Sequence, residues 1–130
     1  MFFATGWVGA SLVVPARPPP VSFAMKESDL QKTVVAWLRR QPPKCVWFAV
    51  PNEAKRSFRL ANHLKAMGLR AGVADLCFFG FGFIELKMRG NRQTEVQEIF
   101  EALCLKHGVN YAVCLSLEDV QRQLKSWGAL

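Results

Sequence analysis

The sequence predicts a mixed α/β domain, a sheet of short strands covered by helices. Three observations carry that reading. Four stretches repeat apolar residues at helical spacing, as with Leu30, Val34, Trp37 and Leu38. Short apolar runs lie between them, each bounded by Pro, Gly or polar residues. Gly80 and Gly82 divide two of those runs closely enough for a hairpin, because glycine accepts the positive φ of tight turns.

In chain order, a helix is expected from Glu27 to Arg40, with Ser28 and Gln31 as a capping box and Gln41-Pro42-Pro43 as its stop. Cys45 to Val50 reads as a strand closed by Pro51. Ala54 to Met67 is a second helix, with Phe58, Ala61, Leu64 and Met67 inward and Gly68 at its end. Val73 to Phe79 and Phe83 to Met88 form the hairpin. Thr94 to His107 is a third helix, stopped by Gly108. Asn110 to Ser116 is the last strand, and Glu118 to Trp127 a final amphipathic helix capped through Ser116 and Asp119. The order helix, strand, helix, hairpin, helix, strand, helix gives a sheet layered with helices.

A chain of 130 residues that is 51% apolar suits one domain with a real core. No apolar run is long enough to cross a bilayer. Residues 1 to 24 carry one charge, Arg17, and the triplet Pro18-Pro19-Pro20, without the basic start of a signal peptide. They are expected to be a disordered extension ahead of a domain at 25–130, or to precede a natural start at Met25. The competing reading is a strand at Ser11 to Val14 added to the sheet. Cys45, Cys77, Cys104 and Cys114 show no CxxC spacing and read as buried free thiols of a reducing compartment. His63 and His107 read as helix-surface residues. The net charge of +7, from 17 basic and 10 acidic residues, favours a polyanionic partner.

The segment GVADLCFFGFGFIELK, Gly72 to Lys87, holds the chemistry. Asp75, Glu85 and Lys87 interrupt apolar strands, and an unpaired buried charge is costly. Side chains alternate along a strand, so Glu85 and Lys87 share a face, and an odd-length loop puts Asp75 there too. A Gly80-Phe81-Gly82 loop pairs Phe79 with Phe83, Cys77 with Glu85 and Asp75 with Lys87, making the carboxylates diagonal neighbours. The opposite face, with Leu76, Phe78, Ile84, Leu86 and Met88, is apolar and must meet a core. Two carboxylates beside a lysine point to Mg²⁺ or Mn²⁺, since hard cations take oxygen ligands. The plainer reading is an ion pair at a sheet edge.

With these motifs placed, the chain resembles the VRR-NUC family of the PD-(D/E)XK nuclease superfamily from about Glu27 to Trp127. The resemblance lies in VPNE at Val50 to Glu53, KAMGLRAGVADL at Lys65 to Leu76, IELK at Ile84 to Lys87, and Arg92-Gln93-Thr94-Glu95-Val96-Gln97. It is similar to the small stand-alone members of phages and bacteria. It departs from the superfamily pattern in having Ala74, not proline, before the first aspartate. The resemblance implies a restriction-endonuclease-like αβββαβ core and a metal-dependent DNA nuclease. It further implies action on branched DNA such as Holliday junctions, a homodimer, no membrane partner and a cytoplasmic setting in a bacterium or phage-infected host.

The same resemblance implies residue roles. Asp75, Glu85 and the carbonyl of Leu86 would hold the metal, with Glu27 completing or supporting the site. Lys87 would position water and offset phosphate charge. Gln97 would belong to the active site, although Thr94-x-x-Gln97 is also a capping box. Asn52 and Glu53 would contact substrate or a second metal, or simply serve the turn after Pro51. Lys55, Arg56, Arg59, Lys65 and Arg70 before the hairpin, and Arg89 and Arg92 after it, would hold backbone phosphates, or form a solvated basic face.

Overall fold

The computed structural model describes residues 25–51 and 57–130. The expected extension over residues 1 to 24, the alternative strand at Ser11 to Val14, and Asn52, Glu53, Lys55 and Arg56 all lie outside the described residues. The elements run α1 (Glu27–Arg40), β1 (Trp47–Ala49), α2 (Phe58–Ala66), β2 (Leu76–Phe78), β3 (Gly82–Leu86), α3 (Glu95–Lys106), β4 (Tyr111–Cys114) and α4 (Leu117–Trp127). Among the described residues the sheet order is β1-β2-β3-β4. The first two pairings are antiparallel and β3–β4 is parallel, which α3 makes possible as the crossover.

Helix α1 has the predicted span but a different cap. The Lys26 N–H donates to Asp29 Oδ2 at 3.2 Å, so Asp29 rather than the expected Ser28 and Gln31 anchors the first turn. Leu30, Val34 and Leu38 are buried, with Trp37 partly so. They pack with Val120 and Leu124 of α4 on Leu76, Phe78, Ile84 and Leu86. This is the apolar face expected of the hairpin. Its burial supplies about 2 kcal/mol for each large side chain. The other face meets α3, where Phe100 and Cys104 cover Ala74, Phe83 and Tyr111.

The strands are shorter than predicted, because the ladder ends in isolated bonds. Phe79 N–H donates to the Val46 carbonyl and Val50 N–H to the Asp75 carbonyl, both at 2.8 Å, beyond the ends of β1. The hairpin register also differs. Its pairs are Leu76 with Ile84, Cys77 with Phe83 and Phe78 with Gly82. The turn closes with Phe81 N–H donating to the Phe78 carbonyl at 2.8 Å, and Gly80, at φ 86°, takes the left-handed corner. Gly82 belongs to the strand instead of the loop. The face parity survives, and one step beyond Leu76–Ile84, Asp75 falls directly opposite Glu85 rather than diagonal to it.

Helix α2 corrects a second expectation. Phe58, Ala61, Leu64 and Met67 were expected inward, yet α2 buries no residue, and Phe58 is 83% and Met67 72% exposed. Helical spacing says which residues share a face, not whether another element covers it. Ser57 caps the start by accepting from Leu60 N–H at 3.1 Å, and Gly68 ends the helix at φ 99° as expected.

Gly72 sets the approach of the β2 entry to α3. It is buried at φ 81°, and a Cβ there would lie 2.3 Å from the Val96 carbonyl oxygen. Gly68 has the same sign of φ but open space around it. Urea denaturation is therefore expected to show a loss of about 1 kcal/mol for Gly68→Ala. For Gly72→Ala the expected loss is about 3 kcal/mol or more, because steric displacement adds to the backbone cost.

Candidate active site

Strand β3 and the residue that follows it carry the two buried charged residues found among the described residues. Glu85 is 1% and Lys87 7% exposed. Asp75 approaches from the entry to β2 and is half-buried, its Oδ2 accepting from Leu86 N–H at 2.7 Å. Glu27 reaches in from the first turn of α1, so that Lys87 Nζ stands 3.9 Å from both Glu27 Oε2 and Glu85 Oε2. Gln97 comes from the first turn of α3 and donates from Nε2 to Glu85 Oε2 at 3.0 Å. The structure thus brings together Asp75, Glu85, Lys87, Glu27 and Gln97 from four segments of chain.

Gln97 performs both tasks that the sequence offered as rivals. Its Oε1 accepts from Thr94 N–H at 2.8 Å while Thr94 Oγ1 accepts from Gln97 N–H at 3.3 Å, which is the capping box. With Oε1 thus engaged, the amide NH₂ is aimed at Glu85. One planar group ties the start of α3 to the site.

The electrostatics are unfavourable for charge. Burial first, and then the facing Asp75, push the Glu85 carboxyl up to about 8, with Lys87 opposing the rise. Asp75 is also held above its ordinary range, chiefly by burial, against the Leu86 N–H bond that lowers it. Glu85 Oε1 is buried without a hydrogen-bond partner. A buried carboxylate oxygen left unmatched costs roughly 1–3 kcal/mol or more. Among the described residues no group of three or more His, Cys, Asp or Glu side chains is clustered to share an ion. The oxygen donors available are the facing Asp75 and Glu85 carboxylates and the nearby backbone, with Glu27 across Lys87. That donor chemistry, with one lone oxygen, fits a hard divalent cation that keeps much of its water.

Tyr111 and Gln93 belong to the surroundings of the site and were not singled out in the sequence. Gln93 Nε2 donates to the Tyr111 hydroxyl at 3.1 Å. Burial and then the Glu85 charge raise the Tyr111 pKa. Its place in a strand resembled core packing, and indeed its ring meets Phe100 edge-on with centroids 6.1 Å apart. Of the expected phosphate contacts, Arg59, Arg89 and Arg92 are exposed. Arg70 and Lys65 line an open groove of about 410 Å³ against Val96 and Ile99 of α3. Cys77, Cys104 and Cys114 are buried, whereas Cys45 at the sheet margin is only half-buried; all are unpaired. No helix among the described residues is long and apolar enough to cross a membrane.

The fold has a counterpart of known structure. A solved structure titled "VRR_NUC domain protein" superposes with a TM-score of 0.66 at 23% identity, over 80% of this chain and 88% of that one. The chain takes the VRR_NUC fold. Its αβαββαβα order and mixed four-stranded sheet fit the restriction-endonuclease-like class. Neither a family model nor a curated protein matches the sequence.

The pH response of the metal-free VRR_NUC fold follows from Glu85. The folded state holds a proton up to about pH 8, whereas the free carboxyl loses it near 4.5. The folded state binds more protons between those values, so stability falls as pH rises through that window. Thermal melts in EDTA are expected to show Tm decreasing from pH 5 to pH 8.5. Glu85→Gln should flatten that trend and raise Tm at pH 8 by several degrees.

Proposed function

We propose that this chain is a metal-dependent nuclease that hydrolyses DNA phosphodiester bonds. The observation that carries the reading is the pair of facing carboxylates, Asp75 and Glu85, one with an unmatched buried oxygen, beside the buried Lys87. A solved VRR_NUC domain protein of the same fold supports it. Asp75, Glu85 and the Leu86 carbonyl would hold Mg²⁺ or Mn²⁺, which when bound supplies Lewis-acid activation of phosphate and water.

The chain's own residues have distinct tasks. Lys87 is held between Glu27 and Glu85, which keeps its ammonium in place to orient water and balance phosphate charge. Its place between Glu27 and Glu85 suits it to electrostatic stabilisation of phosphate charge. Gln97 fixes the Glu85 rotamer. Arg70 and Lys65 before the hairpin, and Arg89 and Arg92 after it, would hold backbone phosphates, contacts that position without reading bases. Structure-selective cutting of branched DNA accords with the lack of a base-reading element in this set.

A homodimer accords with the bare face of α2. Phe58, Leu60, Met67 and Leu69 are exposed, as are Val96 and Ile99 of α3, and Leu69, Val96 and Ile99 line one groove; exposed apolar surface of this kind suits association. Sedimentation at micromolar concentration is expected to give a dimer that Phe58→Glu dissociates while leaving the circular dichroism spectrum unchanged.

End-labelled single strands, duplex, flaps and four-way junctions test the activity, with Mg²⁺, Mn²⁺ or EDTA. The expected result is metal-dependent cutting, best on a branched substrate, that Lys87→Ala lowers about 100-fold or more. Binding without cutting in every metal, unchanged by Lys87→Ala, would instead identify a non-catalytic nucleic-acid-binding module.

A further inference from the structure

The cations Arg40, Lys44 and Lys125 have no role in the site described above. Arg40 ends α1, Lys125 lies in the last turn of α4, and Lys44 sits in the connection to β1. All three are exposed and line one open depression of about 580 Å³, floored by Trp37 and bounded by Leu130. No Asp or Glu side chain lines it. Among the described residues none of the three cations is in an ion pair.

Helix-end cations often do no more than complement the backbone dipole. That accounts for Arg40 and Lys125 one at a time. It does not account for Lys44, which is in no helix, nor for the meeting of three segments at one concavity. A second groove, about 460 Å³, runs along α1 itself from Ser28 to Arg39 and includes Lys32. Ser28, Lys32, Val35 and Arg39 form a single helical stripe without a carboxylate. Its first member is next in sequence to Glu27 of the site, and its last is next in sequence to Arg40 of the depression.

We propose that this stripe and the depression form a second phosphate-contact track, which holds duplex DNA beyond the cut. The inference rests on the nuclease reading and adds a place and a length to it. The fourteen residues of α1 span about 20 Å at 1.5 Å per residue. That is about six base pairs of B-form duplex at 3.4 Å each. A substrate shorter than this on that side reaches the carboxylates but not the depression. A longer one gains contacts with Arg40, Lys44 and Lys125, each releasing counterions from one phosphate.

The test compares binding of a hairpin stem of about 5 base pairs and a duplex of about 30 base pairs across a salt series, in EDTA, for the wild type and for R40A/K44A/K125A. All three positions are exposed, and Lys44→Glu alone serves as a second variant. The expected result is a loss of tenfold or more on the long duplex, with a salt slope shallower by about 2 to 3, and little change on the short one. Equal losses on both lengths, or unchanged long-duplex affinity and slope, would overturn the track while leaving the nuclease reading intact. A wild type that binds neither length would remove the nuclease reading and this inference with it. Metal-dependent cutting of the short stem by the triple variant separates the two failures, since the track lies outside the cutting site.

Discussion

Glu85 is placed where water cannot reach it and where another carboxylate faces it, and much of the surrounding structure answers that placement. The cost of burying a carboxylate opposite a second one is met partly by the Lys87 ammonium, partly by the Gln97 amide, and not at all on Oε1. Such an arrangement is stable only because the remaining face of the hairpin is sealed by α1 and α4 around Leu76, Phe78, Ile84 and Leu86. The dry face supplies the free energy that lets the other face hold opposed charges. Fold and site are thus two sides of one short hairpin.

Much of this could be read in the sequence, and the parts that could not share a physical origin. Face parity was readable because any odd loop puts Asp75 and Glu85 on one side. The register was not, because it depends on Gly82, where a Cβ would meet Asn110 at 2.7 Å, a contact set by residues far along the chain. The choice between Gly80 and Gly82 as the turn glycine is therefore tertiary. Likewise the amphipathic pattern of α2 was real, but a pattern does not name its cover, and Phe58 and Met67 face outward. The α1 boundaries were local and correct, while its cap moved because Asp29 reaches the Lys26 N–H.

Gln97 shows why local and functional readings should not be treated as exclusive. A capping glutamine uses one oxygen, and its NH₂ remains available. Gly72 lets the β2 entry lie against the backbone of Val96 and Gln97, which brings that NH₂ within reach of Glu85. A tyrosine and a second glutamine complete the same neighbourhood, with Gln93 holding the Tyr111 hydroxyl just ahead of the cap. The loop carrying Arg89 and Arg92 ends at this point, so its exit is tethered even though its arginines are exposed.

The shared amide of Gln97 also makes the beginning of α3 a reporter on the carboxylate it touches. The Thr94 N–H is protected by the same side chain that contacts Glu85. Neutralising or ligating Glu85 changes the pull on the NH₂ end and is felt at the oxygen end. The opening free energy of that first turn is then linked to whatever occupies the carboxylate, so amide exchange at Thr94 offers a spectroscopic gauge of occupancy.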